Sequence, residues 1–335
     1  MDRRQLRPKV NNYSLTVERG EGYDLNRSLF ERLIRKGYPH ETLLQQHRMR
    51  PEISALIKEL TYPDLVDADS TQNRPDVIGL QDNIVFIHHE NLEGDDADIT
   101  DRRDMATSSK FNLFEVEMIL KIVKYLGQQG YGTDDLVILT PYLGQLQKLR
   151  HALKEDNDPV LNDLDSYDLV RAGLMNQAEA QLTKKRIRLA TIGMWIYYAG
   201  NVYFINEFLD NYQGEECNIV VVSLTRSNSK CEIGFMFSPE RLNVLLSRSR
   251  DGLILIGNTN TFRGTRKGKD LWTRLLTMLS QGNHIYEGLP IRCERHPNKT
   301  SILRQPEEFD VACPDGGCDA PWCVSCCNSR QCLES

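Results

Sequence analysis

Short, almost purely apolar segments that alternate with stretches of helical periodicity are the strongest constraint on the fold of this chain. We expect strands at residues 83–88, 136–139, 187–191, 219–224 and 253–256. Apolar positions at helical spacing predict helices at residues 29–34, 51–60, 111–126, 143–154, 239–248 and 268–280. A strand that is apolar at consecutive positions is buried on both faces, which is typical of parallel sheets. The sequence therefore predicts an α/β domain, with a mostly parallel sheet and helices on both of its faces.

Composition places the chain among globular proteins. Its 335 residues suffice for about two domains, and 40% of them are hydrophobic and 26% charged. The net charge of −6 argues against nucleic-acid binding through bulk positive charge, although it leaves room for a local basic groove. The amino terminus carries no signal-peptide pattern, and polar residues interrupt the longest weakly charged run, 192–209. We therefore expect a soluble intracellular protein of the nucleus or cytoplasm, without membrane contact.

Polar clusters, rather than a nucleotide-binding loop, carry the functional signal. The chain has no Gly-x-x-x-x-Gly-Lys-Ser/Thr motif, so none of its segments predicts a phosphate cradle. Open α/β sheets bind ligands at strand ends, and we expect five polar clusters there. These clusters are residues 5–8 (QLRP), 46–51 (QHRMRP), 140–142 (TPY), 210–216 (DNYQGEE) and 241–250 (RLNVLLSRSR).

In this order, the five clusters resemble the second RecA-like domain of superfamily 1 helicases, in the group of the nonsense-mediated-decay RNA helicase. The resemblance is greatest to the zinc-finger helicases linked to RNA silencing, and it covers nearly all of residues 2–285. It implies a RecA-like sheet of the P-loop NTPase type in residues 20–285, after the end of a first RecA-like domain in residues 1–19. It also implies an ATP-dependent RNA helicase of RNA surveillance or silencing, with RNA and RNA-silencing or RNA-decay proteins as partners.

The resemblance assigns a nucleotide site by motif position. ATP with Mg²⁺ would lie between two RecA-like domains, and Arg48 and Arg248 would be the arginine fingers that stabilise charge on its γ-phosphate. The other nucleotide-binding residues would be Gln5, Gln213, Gly214 and Glu216. Arg250, in the same cluster as Arg248, fits either this site or an ordinary surface ion pair.

An RNA path is the second site that the resemblance implies. Thr140, Pro141 and Thr191 would line this path and would contact phosphate and sugar rather than bases. Two aromatic residues near these motifs leave two interpretations open. Tyr142 and Tyr212 would either stack on a base or pack against the sheet.

Three further segments are expected to have structural rather than chemical roles. His88 and His89 follow a strand, and packing is favoured over a metal pair because neighbouring side chains point to opposite faces of a strand. Residues 90–104 are rich in Asp and Gly and are expected to form a solvated loop. Residues 155–182 are polar with scattered acidic residues and are expected to form an excursion from the domain.

The carboxyl-terminal region, residues 286–335, contains seven of the nine cysteines. In an intracellular protein this concentration favours metal binding over disulfides. Its C-x₂-H and C-x₄-C pairs resemble the start of the family's zinc region and would supply four ligands to a tetrahedral structural Zn²⁺. The expected ligands are Cys293, His296, Cys313 and Cys318.

Three departures from the family pattern lead to further expectations. Met1 stands where the family has glycine, and the phosphate-loop half is absent, so we expect that this chain alone neither hydrolyses ATP nor unwinds RNA. The seventeen residues 193–209 interrupt a motif that is continuous in the family, either as a translated short intron or as a surface insertion. The intron interpretation rests on codons that allow splice signals at both ends, and it extends to residues 322–335.

A second function is compatible with the sequence. Instead of the helicase function that the resemblance implies, the chain would be a non-catalytic RNA-binding or scaffold module.

Overall fold

Seven parallel strands form the central sheet of the protein. Together with three two-stranded sheets, the described residues form the strands β1 (Gln45–Gln46), β2 (Val66–Asp67), β3 (Ile84–His88), β4 (Gly94–Asp96), β5 (Ser109–Phe111), β6 (Leu136–Thr140), β7 (Leu161–Asp163), β8 (Ile187–Thr191), β9 (Cys217–Ser223), β10 (Ser249–Gly257), β11 (Ile285–Tyr286), β12 (Leu289–Arg292) and β13 (Thr300–Leu303). The order in the central sheet is β11-β3-β10-β9-β6-β8-β7, and every neighbouring pair is parallel. This computed structural model describes residues 12–20, 22–96, 109–132, 134–155, 161–163, 187–191, 215–293 and 300–310, with single positions 10 and 298.

Helices cover the sheet, and their first residues explain where they begin. The α-helices are α1 (Leu29–Arg35), α2 (Pro51–Leu60), α3 (Leu113–Gln128), α4 (Leu143–Glu155), α5 (Pro239–Leu246), α6 (Thr259–Gly264) and α7 (Lys269–Gln281). Short 3₁₀ helices are found at Tyr13–Leu15, Val17–Arg19, Asp69–Thr71, Gly234–Phe237 and Pro306–Asp310. Pro51 and Pro239 open α2 and α5, where a missing backbone N–H costs nothing. The Asn112 side chain accepts from the Glu115 N–H and caps α3.

Consecutive residues of each central strand enter opposite cores, which explains the apolar runs. In β3, Val85 and Ile87 pack against α3 and α4, while Ile84 and Phe86 pack against α2, α5 and α7 on the other face. The same alternation is found in β6, β9 and β10. Both faces of the sheet are therefore buried, and the predicted α/β, RecA-like architecture with helices on both faces is confirmed.

Two segments differ from the sequence prediction. Within the expected acidic loop 90–104, Gly94–Asp96 forms β4 and pairs antiparallel with β5. Within the expected polar excursion 155–182, Leu161–Asp163 forms β7 and extends the central sheet beside β8. Such short strands are held by main-chain hydrogen bonds, so the side-chain pattern does not mark them. The rest of both segments lies largely outside the described residues.

The hairpin β12–β13 shares the core of the α/β domain. Leu289 and Ile291 are buried in the same cluster as the inner face of α3, and the Gln81 N–H donates to the Pro290 carbonyl. The described part of the predicted cysteine-rich tail is thus packed onto the sheet, and Cys293 directly after β12 is buried. Among the helices that the structure describes, none combines the length and the apolar character needed to cross a lipid bilayer.

Candidate nucleotide and nucleic-acid sites

Arg48, Glu216 and Arg248 meet at the amino ends of β9 and β10. Glu216 directly precedes β9, and Arg248 lies in the turn between α5 and β10. The Arg48 Nε donates to Glu216 Oε2 at 2.7 Å, although the two residues are 168 positions apart, and its Nη1 donates to the Ser247 carbonyl at 2.8 Å. The Arg248 Nη1 donates to the Glu215 carbonyl at 3.2 Å. The fold therefore brings together two of the motifs that the sequence analysis singled out and the end of a third.

The turn that presents Arg48 is held by its own glutamine. The Gln46 Oε1 accepts from the backbone N–H groups of Arg48 and Met49, both at 2.8 Å. The Gln46 Nε2 donates to the Met49 carbonyl and to Asp67 Oδ1, also at 2.8 Å. Because every polar group of this buried amide is engaged, the turn before α2 has one defined conformation.

Two arginines of the same motif have different surroundings. Arg50 is buried, and its guanidinium bonds Glu52, Asp76 and the Asp251 carbonyl, so it joins distant segments. The Arg48 side chain is 28% exposed and faces the edge of the sheet. Arg50 is therefore a structural residue, whereas Arg48 is accessible to a ligand.

Glu216 lies between two guanidinium groups. Besides its bond to Arg48, its Oε1 lies 3.6 Å from the Arg250 Nη1, and the Glu216 side chain is 41% exposed. This contact agrees with the ion-pair interpretation of Arg250. A phosphate oxygen can replace a carboxylate oxygen as an acceptor for a guanidinium. Arg48 and Arg250 are the accessible guanidinium groups of this site, whereas the Arg248 side chain is buried. Gln5, Gln213 and Gly214 lie outside the described residues.

The residues expected to contact RNA lie at the opposite edge of the sheet. Thr140 and Thr191 end β6 and β8 and are direct partners in the parallel register. The Thr140 side chain is buried, with its hydroxyl 3.3 Å from that of Thr225, and Pro141 is also buried. A strand of five to seven residues spans about 20 Å at ~3.3 Å per residue. The arginine cluster (Arg48, Arg248 and Arg250) and the threonine pair (Thr140 and Thr191) therefore lie at opposite ends of the strands, separated by about the length of a strand.

A buried ion pair, which the sequence analysis did not identify, lies at this carboxyl edge. The Arg226 Nε donates to Glu93 Oε2 at 2.9 Å, and both side chains are less than 10% exposed. The Arg226 Nη1 reaches the Tyr142 hydroxyl at 3.2 Å, and that hydroxyl donates to the Ile233 carbonyl. Tyr142 is therefore packed rather than free to stack on a base. The buried position of Glu93 could not be predicted from the sequence, because it lies in an acidic run and such runs usually indicate a solvated surface.

Comparison with known proteins decides the family. A family model described as an AAA domain matches residues 25–260, which is more than half of the chain. The chain belongs to this helicase family, in superfamily 1. The expected group is confirmed as well, because the relatives include helicases and regulators of the kinds named in the sequence analysis.

Three relatives show the range of this helicase group. "NFX1-type zinc finger-containing protein 1" of Mus musculus is 29% identical over 96% of this chain and 14% of its own length. "Helicase required for RNAi-mediated heterochromatin assembly 1" of Schizosaccharomyces pombe is 31% identical over 77% of the chain and 20% of its own length. "Regulator of nonsense transcripts 1" of Dictyostelium discoideum is 28% identical over 92% and 19%, respectively. The helicase domain thus spans a fifth or less of these relatives.

His88 and His89, which follow β3, are packed against neighbouring side chains. The His89 Nε2 lies 3.1 Å from Glu115 Oε1, and its ring packs 4.9 Å from that of Phe114. The second carboxylate oxygen of Glu115 accepts from the Thr225 N–H at 2.8 Å. Burial is the main cause that lowers the pKa of His88, whose Nδ1 contacts Thr259. These contacts agree with the packing interpretation of both histidines.

The expected zinc ligands are represented by one residue in the described part of the helicase domain. Cys293 is buried after β12. His296, Cys313 and Cys318 lie outside the described residues, as do Tyr212 and the segment 193–209. Within the described ranges, no group of three or more His, Cys, Asp or Glu side chains could hold a metal ion.

Proposed function

We propose that this chain is the second RecA-like domain of an ATP-dependent RNA helicase and that Arg48 and Arg248 act as its arginine fingers. One observation carries the proposal: three distant segments bring Arg48, Arg248 and Glu216 to one edge of the sheet. Phosphoryl transfer needs mainly positioning and charge stabilisation, which guanidinium groups supply. Arg48 and Arg248 would neutralise charge that develops on the γ-phosphate of MgATP.

Glu216 has a positioning role in this proposal. Without a nucleotide it holds the Arg48 guanidinium through a 2.7 Å charge-assisted hydrogen bond. Gln5, Gln213 and Gly214 would complete the nucleotide contacts. These 335 residues contain no phosphate-binding loop, so the phosphate cradle and the Mg²⁺ ligands would belong to a partner RecA-like domain.

The carboxyl edge of the sheet would carry RNA. Thr140, Pro141 and Thr191 occupy adjacent strand ends there, and they would position the RNA backbone without reading its sequence. The strands between the two edges connect this RNA site to the arginine cluster. The names of the relatives support a role for this chain in RNA silencing or RNA decay, with proteins of those processes as its partners.

A structural zinc ion would complete the carboxyl-terminal region. Cys293, His296, Cys313 and Cys318 would be its four ligands, with Cys293 fixed by the buried hairpin β12–β13. A relative named for its zinc fingers supports this proposal.

ATP hydrolysis by a two-domain protein tests the proposed function. This chain would be joined to the phosphate-loop RecA-like domain of a superfamily 1 helicase of the same group, and steady-state hydrolysis would be measured with and without RNA. We expect Arg48→Ala and Arg248→Ala each to lower kcat by about 10³-fold or more. Arg274→Ala, which removes an exposed pair with Glu59, is the matched control and should retain the full rate. Unchanged hydrolysis in both finger variants would refute the assignment. An affinity for RNA that is the same with and without ATP, in a protein that does not hydrolyse ATP, would instead favour a non-catalytic RNA-binding module.

A further inference from the structure

A basic patch, formed by Arg263, Arg266, Lys267 and Lys269, lies outside every motif that the proposed function uses. Its four cations fall within seven residues, and all four side chains are exposed. None of these four side chains makes a hydrogen bond or an ion pair with the described part of the chain. The nearest acidic residue in the sequence is Asp270, which directly follows Lys269. The patch therefore presents a local positive charge on a chain whose net charge is −6.

Several other cations of the described residues are paired with carboxylates. Arg274 pairs with Glu59 at 3.1 Å, and Arg304 pairs with Glu287 at 3.2 Å. Lys121 pairs with Asp310 in the same way. A cluster of cations without such carboxylates repels itself, and an external anion removes that repulsion. Four cations without a carboxylate partner within seven residues mark the patch as a surface for an anionic ligand.

The loop that carries the patch is held against the core. Gly268 has a left-handed φ of +75°, and a β-carbon there would lie 2.9 Å from the Phe237 Cα. Gly264 packs so closely on Cys231 that a β-carbon would collide with Sγ. The Thr265 hydroxyl donates to the Lys267 carbonyl at 3.1 Å. The cations are thus presented by a fixed backbone, which lowers the entropic cost of binding a ligand.

An exposed aromatic ring accompanies the cations. Phe237 is 44% exposed, and the Lys267 Nζ lies 5.7 Å from the centroid of its ring. The backbone next to the ring is fixed, because the Trp272 Nε1 donates to the adjacent Met236 carbonyl at 2.7 Å. Cations that follow a phosphate backbone, next to an aromatic ring on which a base can stack, are the chemistry of single-stranded nucleic-acid binding.

The patch lies at the carboxyl edge of the sheet, as Thr140 and Thr191 do. Its helix α6 begins directly after β10, and the Thr261 hydroxyl accepts from the Asn228 N–H at 3.2 Å in the segment that follows β9. The Tyr142 hydroxyl ties the same segment to the end of β6 through the Ile233 carbonyl, at 3.1 Å. One continuous stretch, residues 225–237, therefore connects the threonine pair to Phe237.

We propose that the basic patch and Phe237 extend the RNA path, binding the phosphates of single-stranded RNA and stacking one base. The inference rests on the proposed function only in that RNA occupies the carboxyl edge. Because the cations contact phosphate and the ring accepts any base, binding is independent of sequence. This assigns an RNA-binding role to residues outside the helicase motifs.

Fluorescence anisotropy of a labelled single-stranded oligouridylate with the full 335-residue chain tests this inference. The patch variant carries Arg263→Gln, Arg266→Gln, Lys267→Gln and Lys269→Gln. The control variant has the same charge change at exposed cations elsewhere: Arg35→Gln, Lys36→Gln, Arg274→Gln and Arg304→Gln. The association constant is measured as a function of KCl concentration. Each lost phosphate contact lowers the salt slope by about 0.7, so the patch variant should lose about 2 to 3 units of slope. Its affinity should fall about 10²-fold in 0.1 M salt.

The ring and the possible outcomes are tested in the same assay. Phe237→Ala should lose about tenfold in affinity with an unchanged salt slope. Two double variants, Arg263→Gln with Arg266→Gln and Lys267→Gln with Lys269→Gln, should each show about half of the slope change. A patch variant that behaves like the control variant would overturn the inference, but it would leave the proposed RNA-binding role of Thr140, Pro141 and Thr191 unaffected. A wild-type chain that fails to bind the oligouridylate at low salt would refute both.

Discussion

Removing the Glu93 carboxylate should destabilise the protein more than any change to a surface charge. Its Oε2 accepts three hydrogen bonds, from Arg226 Nε at 2.9 Å, the Ser227 N–H at 2.8 Å and the Asn228 Nδ2 at 3.1 Å. Loss of one partner of a buried ion pair costs about 3–5 kcal/mol, because the other charge is left uncompensated. Arg226 retains the Tyr142 hydroxyl, so we expect the lower end, about 3 kcal/mol, for Glu93→Ala.

Urea unfolding followed by circular dichroism measures this loss. Glu59→Ala is the matched control, because it removes an exposed partner of Arg274 and should cost about 1 kcal/mol or less. In a double-mutant cycle, Glu93→Ala combined with Arg226→Met should cost less than the sum of the two single changes. A loss of stability in Glu93→Ala no larger than that in Glu59→Ala would contradict the prediction, since it would mean that water solvates the Arg226 guanidinium.

Three other changes test the packing, the electrostatics and the backbone. Phe262→Ala should lower the free energy of unfolding by about 3–5 kcal/mol in urea titrations, because its buried ring packs 4.1 Å from that of Trp272. Burial raises the pKa of Asp82, but the bond to His284 and neighbouring donors outweigh it and lower the pKa below 3.8. The ionised carboxylate thus stabilises the fold above that pH, and stability is lost as the pH falls through the folded value, so Asp82→Asn should flatten the acid limb of a stability profile. Gly268→Ala should lower Tm, because its φ of +75° and the nearby backbone oppose a β-carbon; an unchanged Tm would contradict this.

The central strands could be predicted because the sheet buries both of their faces. In the central parts of β9 and β10, residues 219–222 and 253–256, alternate side chains enter opposite cores, so these segments are apolar at every position. Strands β7 and β11 have three and two residues, and their main-chain pairing leaves no pattern in the side chains. The predicted helix over 239–248 ends at Leu246, and Arg248 lies in the turn that leads into β10.

The composition of the candidate site could be predicted from motifs, but its geometry could not. The sequence does not say which arginine of residues 46–51 is exposed, because Asp76 and Asp251, which contact Arg50, are distant in the chain. The predicted strands place Thr140 after one strand and Glu216 and Arg248 before two others, but they do not say which strands are neighbours. The order β10-β9-β6-β8 brings the arginines together at the amino ends and the threonines together at the carboxyl ends.

In the proposed function, the Arg48 guanidinium stabilises the transferred phosphoryl group. Single-turnover ATP hydrolysis by the two-domain protein tests it directly, with Arg48→Ala measured in increasing guanidinium chloride and in matched potassium chloride. Arg48 is 28% exposed, so the space left by its side chain is open to a small cation. We predict that millimolar guanidinium restores part of the lost rate and that potassium does not. Equal effects of both salts, or a wild-type rate for Arg48→Ala without any addition, would contradict the account.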